Sequence, residues 1–179
     1  AEVLDFHLGF FDVVIGAFGF TGNPNVDSVG LPENREKALF LNSVLPKRIE
    51  EQCKEHGVKY HHISTGCIYT YDNYNDLSNT NKIIEYKETD TPNFGFYQDY
   101  SSYYSKTKHL FELHADLNYS YLYRIRMPFN QENVSKNILK KFTANFEYVH
   151  SSINSLTHLD LLGETIYHTL LGGWSPRLY

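Results

Sequence analysis

Phe11 to Ala17 reads FDVVIGA, a short apolar run rich in β-branched residues that is typical of a buried parallel strand. A stretch rich in Gly, Asn and Pro follows from Gly19 to Pro32 and predicts a loop. Glu33 to His56 then carries apolar residues at helical spacing, and Gly57 can end this helix. Pro46 lies inside the helix and should bend it.

The alternation of strand and helix continues along the rest of the chain. The predicted strands are 58–65, 119–126 and 146–150, the predicted helices are 101–118, 134–144 and 157–171, and 66–100 is a long polar, aromatic loop. This order predicts an α/β fold, a Rossmann-like doubly wound parallel sheet with helices on both faces. In such sheets ligands bind beyond the carboxyl ends of the strands, so the residues after each strand are the candidates for chemistry.

Composition excludes several classes of protein. With 41% hydrophobic and 21% charged residues, the chain has the balance of an ordinary globular domain. The sequence contains no apolar run of membrane-spanning length and no signal peptide, which together predict a cytoplasmic protein. The net charge of −5 and the scattered Lys and Arg argue against nucleic acid as a partner. Cys53 and Cys67 could form a disulfide, but two free thiols in a reducing compartment are favoured.

The most specific local motif is YSKTK, from Tyr104 to Lys108. A Tyr and a Lys four residues apart lie on one face of a helix, and a neighbouring ammonium lowers a tyrosine pKa. The pair could therefore exchange a proton with a carbonyl or alcohol near neutral pH, with Thr65 at a strand end as a further hydroxyl donor. Among 15 tyrosines this spacing also arises by chance. Tyr103 is a weaker rival, because Thr107 rather than a lysine stands four residues after it.

The adjacent histidines His61 and His62 could indicate a metal site, but the geometry of a strand argues against it. Adjacent strand residues point to opposite faces, so the two rings cannot easily bind one ion. One ring is expected in the core and the other at the surface, and no metal site is predicted.

A set of longer segments carries a family resemblance. In order they are STGCIYTYD (64–72), KETDTPN (87–93), YSKTK (104–108), YRIRMP (123–128) and NSLTHLDLL (154–162). Together with the strand GFFDVVIG near the N-terminus, they resemble the nucleotide-rhamnose synthase/epimerase-reductases, relatives of dTDP-4-dehydrorhamnose reductase within the extended short-chain dehydrogenase/reductases. The likeness covers nearly the whole chain, and its STGCI and YSKTK segments are specific to this subgroup.

The resemblance implies an NAD(P)-binding fold and reduction of a UDP- or dTDP-linked 4-keto-6-deoxy sugar by NADPH or NADH, with 3,5-epimerisation left open. It implies that Tyr104 protonates the developing alkoxide, that Thr65 hydrogen-bonds the substrate carbonyl, and that Lys108 lowers the tyrosine pKa and holds the nicotinamide ribose. The implied cofactor-binding residues are Ala17, Phe18, Asn42, Tyr104, Lys108, Arg126 and Met127, and the implied substrate-binding residues are Thr65, Gly66, Cys67 and Arg126.

Phe18 departs from the usual family pattern, and the role of Cys67 is undecided. Phe18 stands beside the cofactor where a small residue is usual. Cys67 receives no epimerase role, because a cysteine there is as easily a small packing residue.

The cofactor-binding glycine-rich turn is not evident. Gly16, Gly19 and Gly22 have its spacing, but a loop rather than a helix follows them. The chain is therefore expected to begin at the family's fourth strand, to lack two βαβ units of roughly 30 residues each, and to stop before the part that closes over the sugar nucleotide. Residues 1–179 would form a single partial domain with the start of a substrate-binding part. Its first strand would leave an unpaired edge and cause poor solubility.

Two functions remain open. One is the NAD(P)H-dependent reductase, expected also as a homodimer. The other is a non-catalytic sugar-nucleotide-binding or assembly protein derived from such a reductase. A 4,6-dehydratase is a weaker interpretation, because dehydratases usually place an acidic residue after the strand-end threonine, whereas Gly66 and Cys67 follow Thr65 here.

Overall fold

The fold is organised around a parallel sheet. The computed structural model describes residues 7–22, 28–70, 85–132, 137–140, 154–172, 175–177 and 179. The strands β1 (Val13–Gly16), β2 (Lys59–Thr65) and β3 (Tyr121–Ile125) lie in the order β1-β2-β3 with parallel pairing. Because the pairing is parallel, the carboxyl ends of all three strands meet at one edge of the sheet.

A long helical segment joins β1 to β2, but it is not a uniform α-helix. It consists of α1 (Pro32–Leu39), a π-helical turn (Phe40–Val44) and α2 (Leu45–His56). The irregular turn ends two residues before Pro46, whose ring lacks an N–H and would crowd the carbonyl four residues earlier in a regular α-helix. Gly57 ends α2 in the left-handed conformation with φ 69°, as its position predicts.

The helix α3 (Tyr103–His114) joins β2 to β3 and begins at a well-formed cap. Ser102 Oγ accepts a hydrogen bond from the N–H of Ser105 at 3.1 Å. Lys108 and Phe111 lie on the buried side of this helix, and Phe111 enters the core. The core there also contains Leu8, Ile49, Cys53, Val58, Tyr60 and Leu122.

The opposite side of β2 is also covered. The helix α4 (Leu159–Leu170) contributes Thr169, and the backbone groups of Arg177 and Tyr179 bind β3. Consequently His61 and His62 are both fully buried, one on each side of the strand, and the expectation that one would lie at the surface was wrong. Helices on both faces of the sheet confirm the doubly wound arrangement.

Element bounds differ modestly from those predicted. The helix predicted at 101–118 is shorter at both ends, and the first two residues of the one predicted at 157–171 form β5 (Thr157–His158), a strand paired in parallel with β4 (Pro128–Phe129). Most of the predicted helix 134–144 and all of the predicted strand 146–150 fall outside the described residues. Both cysteines are free thiols, and within the described part of the chain no helix is long and apolar enough to cross a membrane.

Candidate active site

Three side chains proposed from the sequence meet at the carboxyl edge of the sheet. Thr65 is the last residue of β2 and is buried, and Tyr104 and Lys108 lie one turn apart on α3. The Thr65 side chain lies close enough to the Tyr104 phenol to lower its pKa. The strand end and the first turns of α3 thus bring together a hydroxyl, a phenol and an ammonium.

The phenol of Tyr104 is held in its protonated form. Burial raises its pKa above the usual value, while the nearby Thr65 hydroxyl and the charge of Arg126 lower it only in part. The Nζ of Lys108, the cation that the sequence analysis expects to lower this pKa, donates to the carbonyl of Ile63 at 3.3 Å.

Lys108 is a buried cation whose surroundings tune its charge. Burial lowers its pKa to about 8, and the carboxylate of Glu112, one turn further along α3, opposes this shift. A carbonyl and a neighbouring carboxylate therefore keep an ammonium group at the sheet edge with little exposure to water.

The turn after β2 places Gly66 and Cys67 beside the N-terminal part of α3, which carries Tyr104. Gly66 N–H donates to the carbonyl of Ile125 at 2.9 Å, which continues the pairing of β2 with β3. Cys67 N–H donates to Thr65 Oγ1 at 3.1 Å, and the Cys67 carbonyl accepts from Ser105 Oγ at 2.6 Å. These bonds fix the turn to both the strand and the helix that carry the candidate catalytic groups.

Arg126 closes the same side of the site. Its Nη1 donates to the Sγ of Cys67 at 2.7 Å, and its Nε donates to Oδ1 of Asn154 at 3.3 Å. Its backbone N–H is bound by Thr157 Oγ1 at 2.9 Å. The next residue, Met127, adopts a positive φ of 41°, which is strained for a side chain of this size. The two residues are thus held by the segment that begins the β5–α4 unit.

The loop after β1 approaches the site from the other direction. Asn42, in the π-helical turn, clamps Phe20 by accepting from its N–H at 2.7 Å and donating to its carbonyl at 3.0 Å. The same amide donates to Thr107 Oγ1 at 3.1 Å. A Cβ on Gly19 would lie 3.1 Å from both Asn42 Oδ1 and Lys108 Nζ, so glycine permits this close approach. The side chain of Asn42 therefore holds the loop after β1 and the helix α3 together.

Ala17 and Phe18 precede this loop and point differently. Ala17 is exposed at the sheet edge. The Phe18 ring packs against the core and meets the His62 ring edge-on, with centroids 5.8 Å apart. The large side chain at position 18 is therefore accommodated inside the sheet layer rather than over the open edge.

Sequence reasoning missed a buried ionic network next to the site. Arg124 and Glu112 form a salt bridge of 2.7 Å, and the hydroxyl of Ser64 donates to the same carboxylate. Tyr104, Lys108 and Glu112 are spaced by four, so their common stripe on α3 was the available signal.

Comparison with known proteins gives this geometry a context. No protein-family model matches the chain. Over 151 residues it is 33% identical to a trifunctional UDP-glucose 4,6-dehydratase/UDP-4-keto-6-deoxy-D-glucose 3,5-epimerase/UDP-4-keto-L-rhamnose-reductase of Arabidopsis thaliana. It is 34% identical to a bifunctional dTDP-4-dehydrorhamnose 3,5-epimerase/dTDP-4-dehydrorhamnose reductase of the same plant. The chain is homologous to enzymes of the rhamnose pathway.

The solved structures support the same fold. A UDP-rhamnose synthase from Acanthamoeba polyphaga mimivirus superposes with a TM-score of 0.79 at 21% identity, over 94% of this chain and 56% of that one. A dTDP-4-dehydrorhamnose reductase from Bacillus anthracis in complex with NADP superposes with a TM-score of 0.66 at 17% identity, over 94% of this chain and 54% of that one. The predicted resemblance and the Rossmann-like fold are confirmed.

The matched region is only part of each relative. The two plant matches each cover 83% of this chain, but only 21% of the trifunctional relative and 46% of the bifunctional one. The chain thus spans less than half the length of either curated relative.

Proposed function

We propose that this chain supplies the proton-donating side of a reductase site for a UDP- or dTDP-linked 4-keto-6-deoxy sugar, with epimerisation as a further activity of the same site. The observation that carries the proposal is the link through Cys67 at the carboxyl edge: its N–H binds Thr65 and its carbonyl binds Ser105, the neighbour of Tyr104, with Lys108 one turn away. The homology to reductases of this pathway supports the choice of substrate.

The protonation state of Tyr104 suits reduction. A raised pKa keeps the phenol protonated at neutral pH, and this is the form that can give a proton to an alkoxide as it develops. Thr65 would orient the sugar carbonyl by donating its hydroxyl hydrogen to the carbonyl oxygen. The positive charge of the nearby Arg126 would stabilise the negative charge that develops on the carbonyl oxygen of the sugar during reduction.

The residues at the edge fit the nicotinamide end of NADPH or NADH. Lys108 is a buried cation next to the backbone of Gly19, and Ala17 leaves the edge beside it open. When bound, the cofactor supplies the hydride. Lys108 would hold its ribose, with Asn42 fixing the neighbouring loop, while Arg126 and Met127 approach from the β3 side. The NADP complex of the Bacillus anthracis reductase supports this choice of cofactor.

The decisive test compares two adjacent tyrosines in the complete gene product that contains these residues. Tyr104→Phe should lower kcat for NAD(P)H-dependent reduction by about 10²–10⁴-fold, because the proton donor is removed. Tyr103→Phe is the matched control and should keep its activity, since the Tyr103 hydroxyl donates to the carbonyl of Arg35 at 3.4 Å, away from the candidate site. Equal rates for the two variants would refute the role of Tyr104. No turnover in the parent protein would favour the non-catalytic sugar-nucleotide-binding function.

Two further properties are part of the proposal. The first is a homodimer, for which Phe10 (89% exposed) and Phe11 (59%), just before β1, offer an apolar surface. The second is a cytoplasmic location, supported by the free thiols of Cys53 and Cys67. Sedimentation of the purified protein and fractionation of the source cells test the two separately; a monomer or a secreted protein would contradict them.

A further inference from the structure

Arg124 connects three separate segments behind the candidate site. It lies in β3, in register with Ser64 of β2. Its Nε and Nη2 donate to Glu112 Oε2 at 3.0 and 2.7 Å. Its Nη1 donates to Tyr69 Oη at 2.6 Å and to the carbonyl of Glu88 at 3.1 Å. One guanidinium therefore ties α3, the turn after β2 and the loop around residue 88 to the sheet.

This arrangement needs an arginine rather than a general positive charge. The side chains of Arg124 and Glu112 are only 11% and 5% exposed. A planar guanidinium directs its donors along fixed and divergent lines, so it reaches partners on several sides at once. A lysine ammonium is a single point at the end of a flexible chain and could not keep all of these contacts.

Tyr69 passes this restraint on to the loop. Its Oη donates to the carbonyl of Asp90 at 2.8 Å, and its ring stacks on that of Tyr86 with centroids 4.6 Å apart. The Arg124 guanidinium also lies over the Tyr69 ring, 5.4 Å from its centroid. This phenol thus links the turn 66–70 and the segment 85–93 to Arg124, in addition to the backbone bond of Gly66 with Ile125 and the bonds of Thr70 with Asn93.

The restrained turn is the one that carries the site. Cys67 N–H binds Thr65 Oγ1, and the Cys67 carbonyl binds Ser105 on the catalytic helix. We propose that Arg124 is a positioning residue that acts through Tyr69 to fix this turn, and with it Thr65, relative to Tyr104. The inference rests on the proposed reductase function for its catalytic consequence, but its structural part can be tested without turnover.

The thiol of Cys67 reports on the turn directly. It is half-buried next to Arg126, whereas Cys53 is fully buried and its thiol pKa is raised to about 11. Alkylation of the native chain with iodoacetamide, followed by peptide mass spectrometry, measures both thiols in one sample. Cys53 then serves as an internal reference for global unfolding, because it reacts only when the core opens.

The variants separate loss of the restraint from loss of stability. Tyr69→Phe keeps the ring stack and removes only the hydroxyl, and Arg124→Met removes the guanidinium. Both should raise the Cys67 alkylation rate by roughly fivefold or more while Cys53 stays slow. Ile49→Val weakens the core far from the turn and Arg48→Met removes an exposed arginine, so neither should change Cys67.

The outcomes are decisive even if Arg124→Met fails to fold, because Tyr69→Phe then carries the test alone. An unchanged Cys67 rate in folded Tyr69→Phe would overturn the inference. So would an equal rise in Ile49→Val. In the turnover assay Tyr69→Phe should lower kcat without changing KM for NAD(P)H, and an effect on cofactor KM alone would also overturn it. If the parent protein shows no reductase activity, the proposed function fails while the thiol result still decides the positioning role.

Discussion

The two faces of β2 contain similar residues but connect to different parts of the molecule. On one face the Nδ1 of His61 lies 2.9 Å from Tyr123 Oη, which in turn lies 2.8 Å from Thr169 Oγ1 on α4. The rings of Tyr121 and Tyr179 extend this layer by stacking. All of these contacts stay within the sheet, α4 and the segment that pairs with β3.

The other face leads to the candidate site. The Nδ1 of His62 lies 2.9 Å from Tyr60 Oη, and its ring meets Phe111 of α3 with centroids 4.6 Å apart. Burial lowers the pKa of His62 well below its usual value, and the charge of Lys108 lowers it further. Two neighbouring histidines thus have different roles, because only the face of His62 packs against the helix that bears Lys108. Changes on this face should affect the site, and changes on the other should affect stability alone.

The largest expected effect is the loss of the Asn42 clamp on the site side. Asn42→Leu keeps the volume of the side chain but removes its bonds to Phe20 and Thr107. Leaving these buried partners unpaired should cost about 2–4 kcal/mol of unfolding free energy. Urea denaturation measures it, with the exposed Gln131→Leu as the matched control. A loss below that of the control would show that the amide clamp is dispensable.

The opposite face should respond in stability without a change at the site. Tyr123→Phe leaves His61 and Thr169 without their shared hydroxyl, at a cost of about 1–3 kcal/mol. The melting temperature should fall by about 2–10 °C, while Cys67 alkylation of the folded chain stays unchanged. Tyr97→Phe, on a side chain that is 72% exposed, controls for hydroxyl removal. A faster Cys67 reaction in Tyr123→Phe would break the distinction between the two faces.

Both histidines should make stability depend on pH. Burial lowers the pKa of His61 to about 4 and that of His62 well below 6.5, so the unfolded chain binds more protons between these values and 6.5. Stability is therefore complete above about pH 6.5 and decreases as the pH falls toward 4. After allowance for solvent screening, His61 should account for on the order of 1 kcal/mol at pH 5. Urea midpoints from pH 7.5 to 5 measure the slope; His61→Gln should flatten it, and the exposed His168→Gln should not.

The smallest effect concerns backbone strain beside the site. Met127 has a φ of 41°, a conformation that glycine adopts at no steric cost. Met127→Gly should therefore be more stable than Met127→Ala by about 1 kcal/mol. The comparison cancels the loss of the methionine side chain, and thermal melts of the two variants give the difference. Equal stabilities would mean that the neighbouring Arg126 contacts, rather than φ, set the energy of this position.

Local pattern was enough to predict the groups that touch the site. The spacing of Tyr104 and Lys108 places both on one helix face, and the position of Thr65 at a strand end brings it to the same edge. Those inferences depend only on periodicity and on the parallel order of strands. The roles assigned to these residues remain predictions until the variants are measured.

Other features of the fold and the site depend on tertiary contacts, which a local sequence pattern does not reveal. Burial of His61 follows from α4, Arg177 and Tyr179, which are distant in sequence from β2. The ion pair of Arg124 and Glu112 is buried, although charged residues are usually exposed, because α3 packs on the sheet and brings the two side chains together. The pKa of Tyr104 likewise depends on burial, which outweighs any nearby cation.

The π-helical turn Phe40–Val44 determines where the long helical segment can change its length. Such a turn holds one residue more than an α-helical turn, and each residue of an α-helix advances the direction of its side chains by about 100°. Deleting one residue of this turn other than Asn42 would let the segment become continuous α-helix, with α1 and α2 keeping nearly their present relative rotation. A one-residue deletion within α2 has no wide turn to absorb it and would rotate the buried Ala38 by about 100° against the residues that follow. Such a deletion should therefore be tolerated far less well than one in the π-helical turn.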